Sequence, residues 1–311
     1  MDHRVAIGID VGGTKIAGAL VDRNGNILRQ ETQPTLANES PESIHQRIAD
    51  VINTLNEPTQ PVSGIGISCP GPVNPFTGVA LNAVNLGWKN YPLSAQLRPL
   101  LHNPSLPIVL QNDVNALALG EMIYGAAKGV SDFVYIAPGT GLGGGAVSSG
   151  RIITGAGGSA MEIGHIAVHR NGRPCRCGVN GCAEQYLSGN GLLAGAAEYG
   201  LFVDNQPPTT QDIIQLARNH HEIALRIMSD AAQALGEVMA MCAALLNPAL
   251  FVIGGGIGLA CFDLIVPEAT RRLHQSVFPN LYSALTIVPA IASSSALGSA
   301  ALVWHELDAQ L

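Results

Sequence analysis

IGIDVGGTKIAGALV, residues 7–21, reads as an apolar strand that ends in a carboxylate, then a tight glycine turn, then a second strand. Such a turn presents backbone N–H groups to an anion with no Cβ in the way. Asp10, Gly12, Gly13, Thr14 and Lys15 bring to it a carboxylate able to organise Mg²⁺ with its waters, a hydroxyl and a cation. VYIAPGTGLGGGAVS, residues 134–148, repeats the plan, with Gly139, Thr140 and Gly141 in the turn. One glycine turn is equally well an ordinary hairpin. Two of matching design, one in each half, point to two related lobes with a cleft between them and a phosphate gripped from both sides.

Outward from these hairpins, strands and helices alternate, which argues for an α/β architecture. Asn24-Gly25 signals a hairpin into a third strand near Ile27. Residues 41–55 carry apolar side chains at helical spacing, and 62–68 and 106–111 read as strands. Residues 114–124 read as a helix and 133–137 as a strand. Gly139 to Gly145 is expected to be a turn, with a strand from Ala146. Residues 211–246 read as helix in two pieces, 250–253 as a strand with Gly254, Gly255 and Gly256 as its turn, and 297–307 as a closing helix.

Of 311 residues, 47% are hydrophobic and 13% charged, so a mostly disordered chain is excluded. The 36 glycines exceed the usual share of about 7% without any three-residue period, so they are read as turns, not collagen. The net charge is −7 and there is no basic run, which argues against a nucleic-acid surface. The first residues lack the apolar run and small-residue cleavage site of a signal peptide. The longest uncharged stretch, 238–262, is broken by Asn247-Pro248 and Gly254-Gly255-Gly256, so no membrane span is expected. A cytoplasmic protein is the expectation. No G-x-x-x-x-G-K-[ST] string is present. Gly139, Gly141 and Gly144 fit G-x-G-x-x-G, but a dinucleotide turn must open into a helix and here a strand is expected.

Cys69, Cys242 and Cys261 stand alone in apolar surroundings and read as buried small hydrophobes. His165, Cys175, Cys177 and Cys182 are different. Three thiolates and one imidazole complete a tetrahedral Zn²⁺ shell with no open position, which makes the ion structural. Gly178 and Gly181 allow the bends that bring the sulfurs together, and His169 competes as a ligand in principle. The job of such an ion is to fix the loop that holds Glu162, His165 and Glu184.

Together these segments resemble the ROK family of bacterial sugar kinases over nearly the whole chain. Residues 10–15 resemble its first phosphate motif, and Asn112-Asp113-Val114-Asn115-Ala116 its catalytic segment. Glu162-Ile163-Gly164-His165 followed by CRCGVNGCAE (175–184) resembles the family signature, and residues 252–256 its adenosine-side turn. The resemblance implies a two-lobed α/β, actin/hexokinase-like (RNase H-like) fold with a cleft between the lobes. Residues 1–112 would form a small N-terminal lobe, joined by a C-terminal helix over 297–311. Residues 113–296 would form a large lobe with the zinc loop and the nucleotide site. It implies Asp113 as general base, and Gly71, Asn85, Asn112, Asp113, Glu162, His165 and Glu184 as sugar-binding positions. It implies His165, Cys175, Cys177 and Cys182 as zinc ligands. Asp10, Gly12, Gly13, Thr14, Lys15, Gly139, Thr140, Gly141, Gly254, Gly255 and Gly256 would hold Mg²⁺-ATP.

The implied reaction is ATP-dependent phosphorylation of a hexose, glucose to glucose 6-phosphate first. N-acetylmannosamine or another hexose or amino sugar is the alternative acceptor. A catalytically inactive sugar-sensing regulator is the alternative of another class. Partners are then a hexose and a nucleotide, with no nucleic acid and no membrane, in a homodimer. Family repressors carry an N-terminal DNA-binding domain, for which a hairpin starting at Val5 leaves no room. Three places depart from the family's usual pattern: Ala160-Met161 before the signature, Asn85-Leu86-Gly87-Trp88 without a proline, and Ser293-Ser294-Ser295 in place of an Asp pair. Without the family, Asn112 or Asp113 before an apolar helix reads first as a helix cap, and one carboxylate could serve both roles. Trp88 is either a wall of the sugar pocket or a core anchor.

Overall fold

The computed structural model describes residues 4–56, 61–292 and 294–308. In chain order the elements are β1 (Val5–Val11), β2 (Lys15–Asp22), β3 (Ile27–Pro34), α1 (Pro41–Leu55), β4 (Val62–Cys69), β5 (Val73–Asn74), β6 (Val79–Ala83), β7 (Trp88–Tyr91), α2 (Leu93–Leu97), β8 (Ile108–Asn112) and α3 (Asp113–Tyr124). There follow β9 (Phe133–Pro138), β10 (Leu142–Ser148), β11 (Arg151–Ile152), α4 (Gly189–Tyr199), α5 (Thr210–Arg218), α6 (Glu222–Leu246), β12 (Leu250–Ile253), α7 (Gly256–Ala260), α8 (Phe262–Ser276), β13 (Thr286–Pro289) and α9 (Ser295–Asp308). No helix among the described residues is long and apolar enough to cross a membrane.

The chain divides into two compact units. Unit 1 is Met1–Gly129, Ile152–Ala160 and Ile291–Leu311, and unit 2 is Val130–Arg151 and Met161–Ala290. Their sheets share one plan. Unit 1 runs β3-β2-β1-β4-β8, and the second sheet runs β11-β10-β9-β12-β13. In each, a central strand pairs antiparallel with the next strand and parallel with a later one. The repeated hairpin seen in the sequence is therefore the kernel of a repeated sheet.

In unit 1 the alternation of β1 decides the layers. Val5, Ile7, Ile9 and Val11 join Ile44, Ile48 and Ile52 of α1 in one core, while Ala6 joins Ala296, Ala300 and Trp304 of α9 in another. Helix α9 lies against the sheet at two glycines. A Cβ on Gly8 would stand 2.0 Å from the Ala296 carbonyl, and one on Gly66 would stand 1.8 Å from that of Ser299. These two glycines lie inside strands, as expected, and serve as notches for a helix. That close approach is what brings the start of α9 beside β1 and β4.

Several expectations change. The first boundary falls at Gly129 instead of Asp113, because α3 packs on α9 and stays with unit 1. Residues 152–160 also belong there: a Cβ on Gly158 would collide with the Val73 carbonyl at 1.7 Å. The second glycine turn is shorter than expected, since β10 begins at Leu142, and Gly256 already starts α7. The small β5-β6-β7 sheet, α4, α7, α8 and β13 are additions to the expected elements.

Candidate active site

Helix α3 starts with its catalytic candidate, Asp113, half-buried in its first turn. Asn112 is the cap: its side-chain oxygen accepts from Val114 N at 2.9 Å and Asn115 N at 3.3 Å. Its amide donates to the Gly71 carbonyl at 3.0 Å. Gly71 has φ +81°, and a Cβ there would lie 2.2 Å from the Asn82 carbonyl, so only glycine fits this contact. The Asp113 carboxylate accepts from Val114 N at 2.9 Å, with its own backbone N–H and the Asn112 side chain also bonded to it. Burial first, and the charge of Asp10 second, push the Asp113 carboxyl up to about 6. A carboxylate poised there can take a proton near neutral pH.

Asp10 is held by hydroxyls. Ser68 donates to one of its oxygens at 2.9 Å, and Ser295 to the other at 2.6 Å. The Ser68 and Ser299 hydroxyls meet at 2.8 Å, both fully buried. Of the serine run at 293–295, Ser295 thus has a clear contact, while residue 293 lies outside the described residues. The first glycine turn is closed by Gly12 N to the Lys15 carbonyl at 2.9 Å. Buried Thr35 braces it, donating its hydroxyl to the Gly12 carbonyl at 2.6 Å and its N–H to the Thr14 carbonyl at 2.9 Å. Gly13 and Thr14 are exposed at its tip, beside Asn85. Asp10 and Asp113 are hard oxygen donors of the kind Mg²⁺ takes. Trp88 is 2% exposed and stacks on Tyr91 at 4.9 Å, so it is a core anchor.

In unit 2 the second turn, Gly139 to Gly141, closes through Gly139 N to the Gly141 carbonyl at 2.8 Å. Gly139, Thr140 and Gly256 line a cavity of about 520 Å³ with Gly189, Asn190 and Thr210. Gly255 has φ +68°, and a Cβ there would meet the Pro138 carbonyl at 2.3 Å, so the turn after β12 packs directly on the end of β9. Because residues after Gly141 continue as strand, the dinucleotide reading fails for the expected reason.

The segment after β11 docks on β10. Buried Ile163 fills the space a Cβ on Gly144 would occupy, and Gly164 lies on the Leu142 carbonyl. This leaves Glu162 and His165 exposed. Ligand atoms of His165, Cys175, Cys177 and Cys182 lie within 4.8 Å of one another. Cys177 and Cys182 sulfurs are 3.5 Å apart, and Cys175 Sγ is 3.7 Å from His165 Nδ1. Edges of roughly 3.5–3.8 Å are what a tetrahedron with Zn–S and Zn–N bonds of about 2.3 and 2.0 Å requires. The set therefore fits Zn²⁺, with Nδ1 as the ligand atom and Nε2 left over. His169 is outside the set and packs on Tyr186. Cys69, Cys242 and Cys261 are buried, as expected.

Thr35, Ser68, Glu121 and Ser299 stood out in no motif of the sequence, and Ser295 stood out only as a departure with no role. Small hydroxyl residues in strands and helices carry no motif, and their role depends on which element lies alongside.

Two like sheets, each with a glycine turn after its central strand, and a carboxylate at the head of a helix in the first define a two-unit α/β chain of the sugar-kinase type. The ROK family model matches residues 6–306, and the chain belongs to that family. It is 36% identical over 282 residues to the glucokinase of Halalkalibacterium halodurans, covering 86% of this chain and 84% of that one. It is 34% identical over 274 residues to the N-acetylmannosamine kinase of Escherichia coli O9:H4 (strain HS), covering 88% and 90%. A solved ROK family glucokinase from Streptomyces griseus, in complex with glucose and AMPPNP, superposes with a TM-score of 0.76 at 31% identity, covering 96% of this chain and 98% of that one.

Proposed function

We propose that this chain transfers the terminal phosphoryl group of ATP to a hexose, with glucose as acceptor and glucose 6-phosphate as product. The observation that carries this reading is Asp113: a carboxylate at the first turn of α3, raised to about 6, beside Asp10 and with Asn112 as the cap. The carboxylate accepts the proton of the attacking sugar hydroxyl. The hydroxyl oxygen bonds to the terminal phosphorus as the bond from that phosphorus to the bridging oxygen breaks, and ADP leaves with the electron pair.

In this reading Gly71, Asn85, Asn112, Asp113, Glu162, His165 Nε2 and Glu184 are assigned to the sugar hydroxyls, with carboxylates as strong acceptors. Asp10, Gly12, Gly13, Thr14, Lys15, Gly139, Thr140, Gly141, Gly254, Gly255 and Gly256 are assigned to the nucleotide and its phosphates. Mg²⁺ bound near Asp10 would neutralise phosphate charge. Zn²⁺ on His165, Cys175, Cys177 and Cys182 would fix the His165 ring by its Nδ1 and so orient Nε2. The chain acts in the cytoplasm as a homodimer, which light scattering of the purified protein tests.

Coupled ADP release over a panel of hexoses and amino sugars, with Mg²⁺ and zinc present, tests the proposal. Glucose is expected to turn over with the highest kcat/KM. The highest kcat/KM on N-acetylmannosamine would reassign the acceptor, a reading supported by the 34% identity to that kinase. Sugar binding without turnover on any member of the panel would refute the kinase reading and favour a sensor.

A further inference from the structure

Glu184 stands at the end of the cysteine loop, two residues after Cys182, yet its carboxylate does not turn only outward. Its Oε2 accepts from the backbone N–H of Leu142 at 3.0 Å, forty-two residues away in sequence, where the second glycine turn runs into β10. A Cβ on Gly141 would stand 2.5 Å from that same oxygen, so glycine is needed there for the carboxylate to reach. Oε1 takes no hydrogen bond from the described residues. The backbone around Glu184 is tied to the same turn. Ser188 donates to the Glu184 carbonyl at 2.6 Å and caps α4 through Gly191 N at 2.9 Å, and Gly189 N bonds the Gly139 carbonyl at 2.8 Å. On the other side Ala183 N bonds the Ile166 carbonyl at 2.9 Å, next to His165. The loop, the Glu162–His165 segment and the turn thus close into one ring within unit 2.

We infer that Glu184 is a positioning residue for the nucleotide turn as well as a sugar ligand: Oε2 holds the Gly139–Gly141 turn through Leu142 N, and Oε1 takes a sugar hydroxyl. The second half rests on the function proposed above. One carboxylate then serves both substrates. A sugar hydroxyl on Oε1 restricts the side-chain rotation that would otherwise release Leu142. Occupancy of the sugar site therefore orders the turn that receives the nucleotide, and the two substrates bind with positive coupling.

AMPPNP binding measured by calorimetry, with and without glucose, tests this on the full chain loaded with zinc. Without sugar, Glu184→Ala is expected to bind AMPPNP about tenfold more weakly than wild type, since a backbone N–H loses a charged acceptor. Glu184→Gln keeps an oxygen for Leu142 N and is expected to retain AMPPNP affinity within about twofold, while losing glucose affinity. Gly141→Ala, whose Cβ would stand 2.5 Å from Glu184 Oε2 and displace the carboxylate, is expected to weaken glucose binding through Glu184. AMPPNP affinity unchanged in Glu184→Ala, or lost equally in Glu184→Gln, would overturn the positioning role. The sugar-free arm needs no turnover. A chain inactive on every hexose, but with the Ala and Gln variants separated in AMPPNP affinity, would sink the kinase reading and leave this role standing.

Discussion

The turn after β1 carries its own charge and is held from within its unit by hydroxyls. Asp10 is the last but one residue of β1, Lys15 starts β2, and Ser68, Ser295 and Thr35 grip the carboxylate and the backbone. The turn after β9 has no charged residue at all between Phe133 and Ser148. Its carboxylate is borrowed from Glu184, at the end of the cysteine loop. One strand-turn-strand plan has thus been fitted to two tasks. The charged turn sits beside Asp113, the proposed proton acceptor. The neutral one can receive a polyanion without repulsion, and its geometry depends on a loop that a metal can stiffen.

The largest expected effect falls on the charged side. Asp113→Asn should lower kcat by about 10²–10⁴-fold in the ADP-release assay, while calorimetry still detects sugar binding. Since the base must be ionised and its carboxyl is raised to about 6, kcat/KM in wild type should climb as pH rises through about 6. The same displacement works against the fold. The stabilising contribution of this carboxyl is complete below its ordinary value of 3.8 and is lost as pH rises through about 6, roughly 3 kcal/mol at most. Asp113→Asn should therefore melt above wild type at pH 8, and the gap should close toward pH 4. A variant that is dead but no more stable at pH 8 would argue against burial as the source of the shift.

On the neutral side, Cys177→Ser should reduce zinc from about one atom per chain to none and lower Tm by roughly 5 °C or more. The metal must displace a proton from Cys182, whose thiol burial pushes up to about 12. Zinc-free wild type of undiminished Tm would show that the second turn does not lean on the loop. Glu121 tests the first side from a distance. It is 1% exposed, and its carboxylate accepts from Ala126 N at 2.7 Å, Ile291 N at 3.0 Å and Ala292 N at 2.7 Å. It thereby holds the backbone at 291–292. Glu121→Ala should cost about 2–4 kcal/mol in urea unfolding, because buried N–H groups lose their acceptor. The smallest effect is expected of Ser295→Ala. It removes one of two hydroxyl donors to Asp10 and should raise KM for Mg²⁺-ATP about three- to tenfold, with Ser295→Thr restoring it.

The hairpins, α1, the split of α5 from α6 and the metal-ligand set were legible because each has a local signature. Alternation places Ile7 and Ile9 on one face, helical spacing marks Ile44 to Leu55, and three thiols with a histidine are a ligand pattern in themselves. The membership of α3 was not legible, since its partner α9 lies far along the chain. Nor was the division of labour between Asn112 and Asp113: both residue types cap helices, and the backbone angles at the strand end assign the cap to Asn112.

From composition, periodicity and local pattern came the α/β class, the two glycine turns and the zinc-type ligands, because each is written in a short stretch of chain, while the candidate base came from the resemblance to the family, since Asn112-Asp113 alone reads as a helix cap. The attachment of Ser295 to Asp10, of Glu121 to the segment at 291–292 and of Glu184 to Leu142 came from the folded chain. These contacts join residues from 42 to 285 positions apart. A hydroxyl or carboxylate carries no mark of a distant partner until helix and sheet packing brings that partner within hydrogen-bond reach.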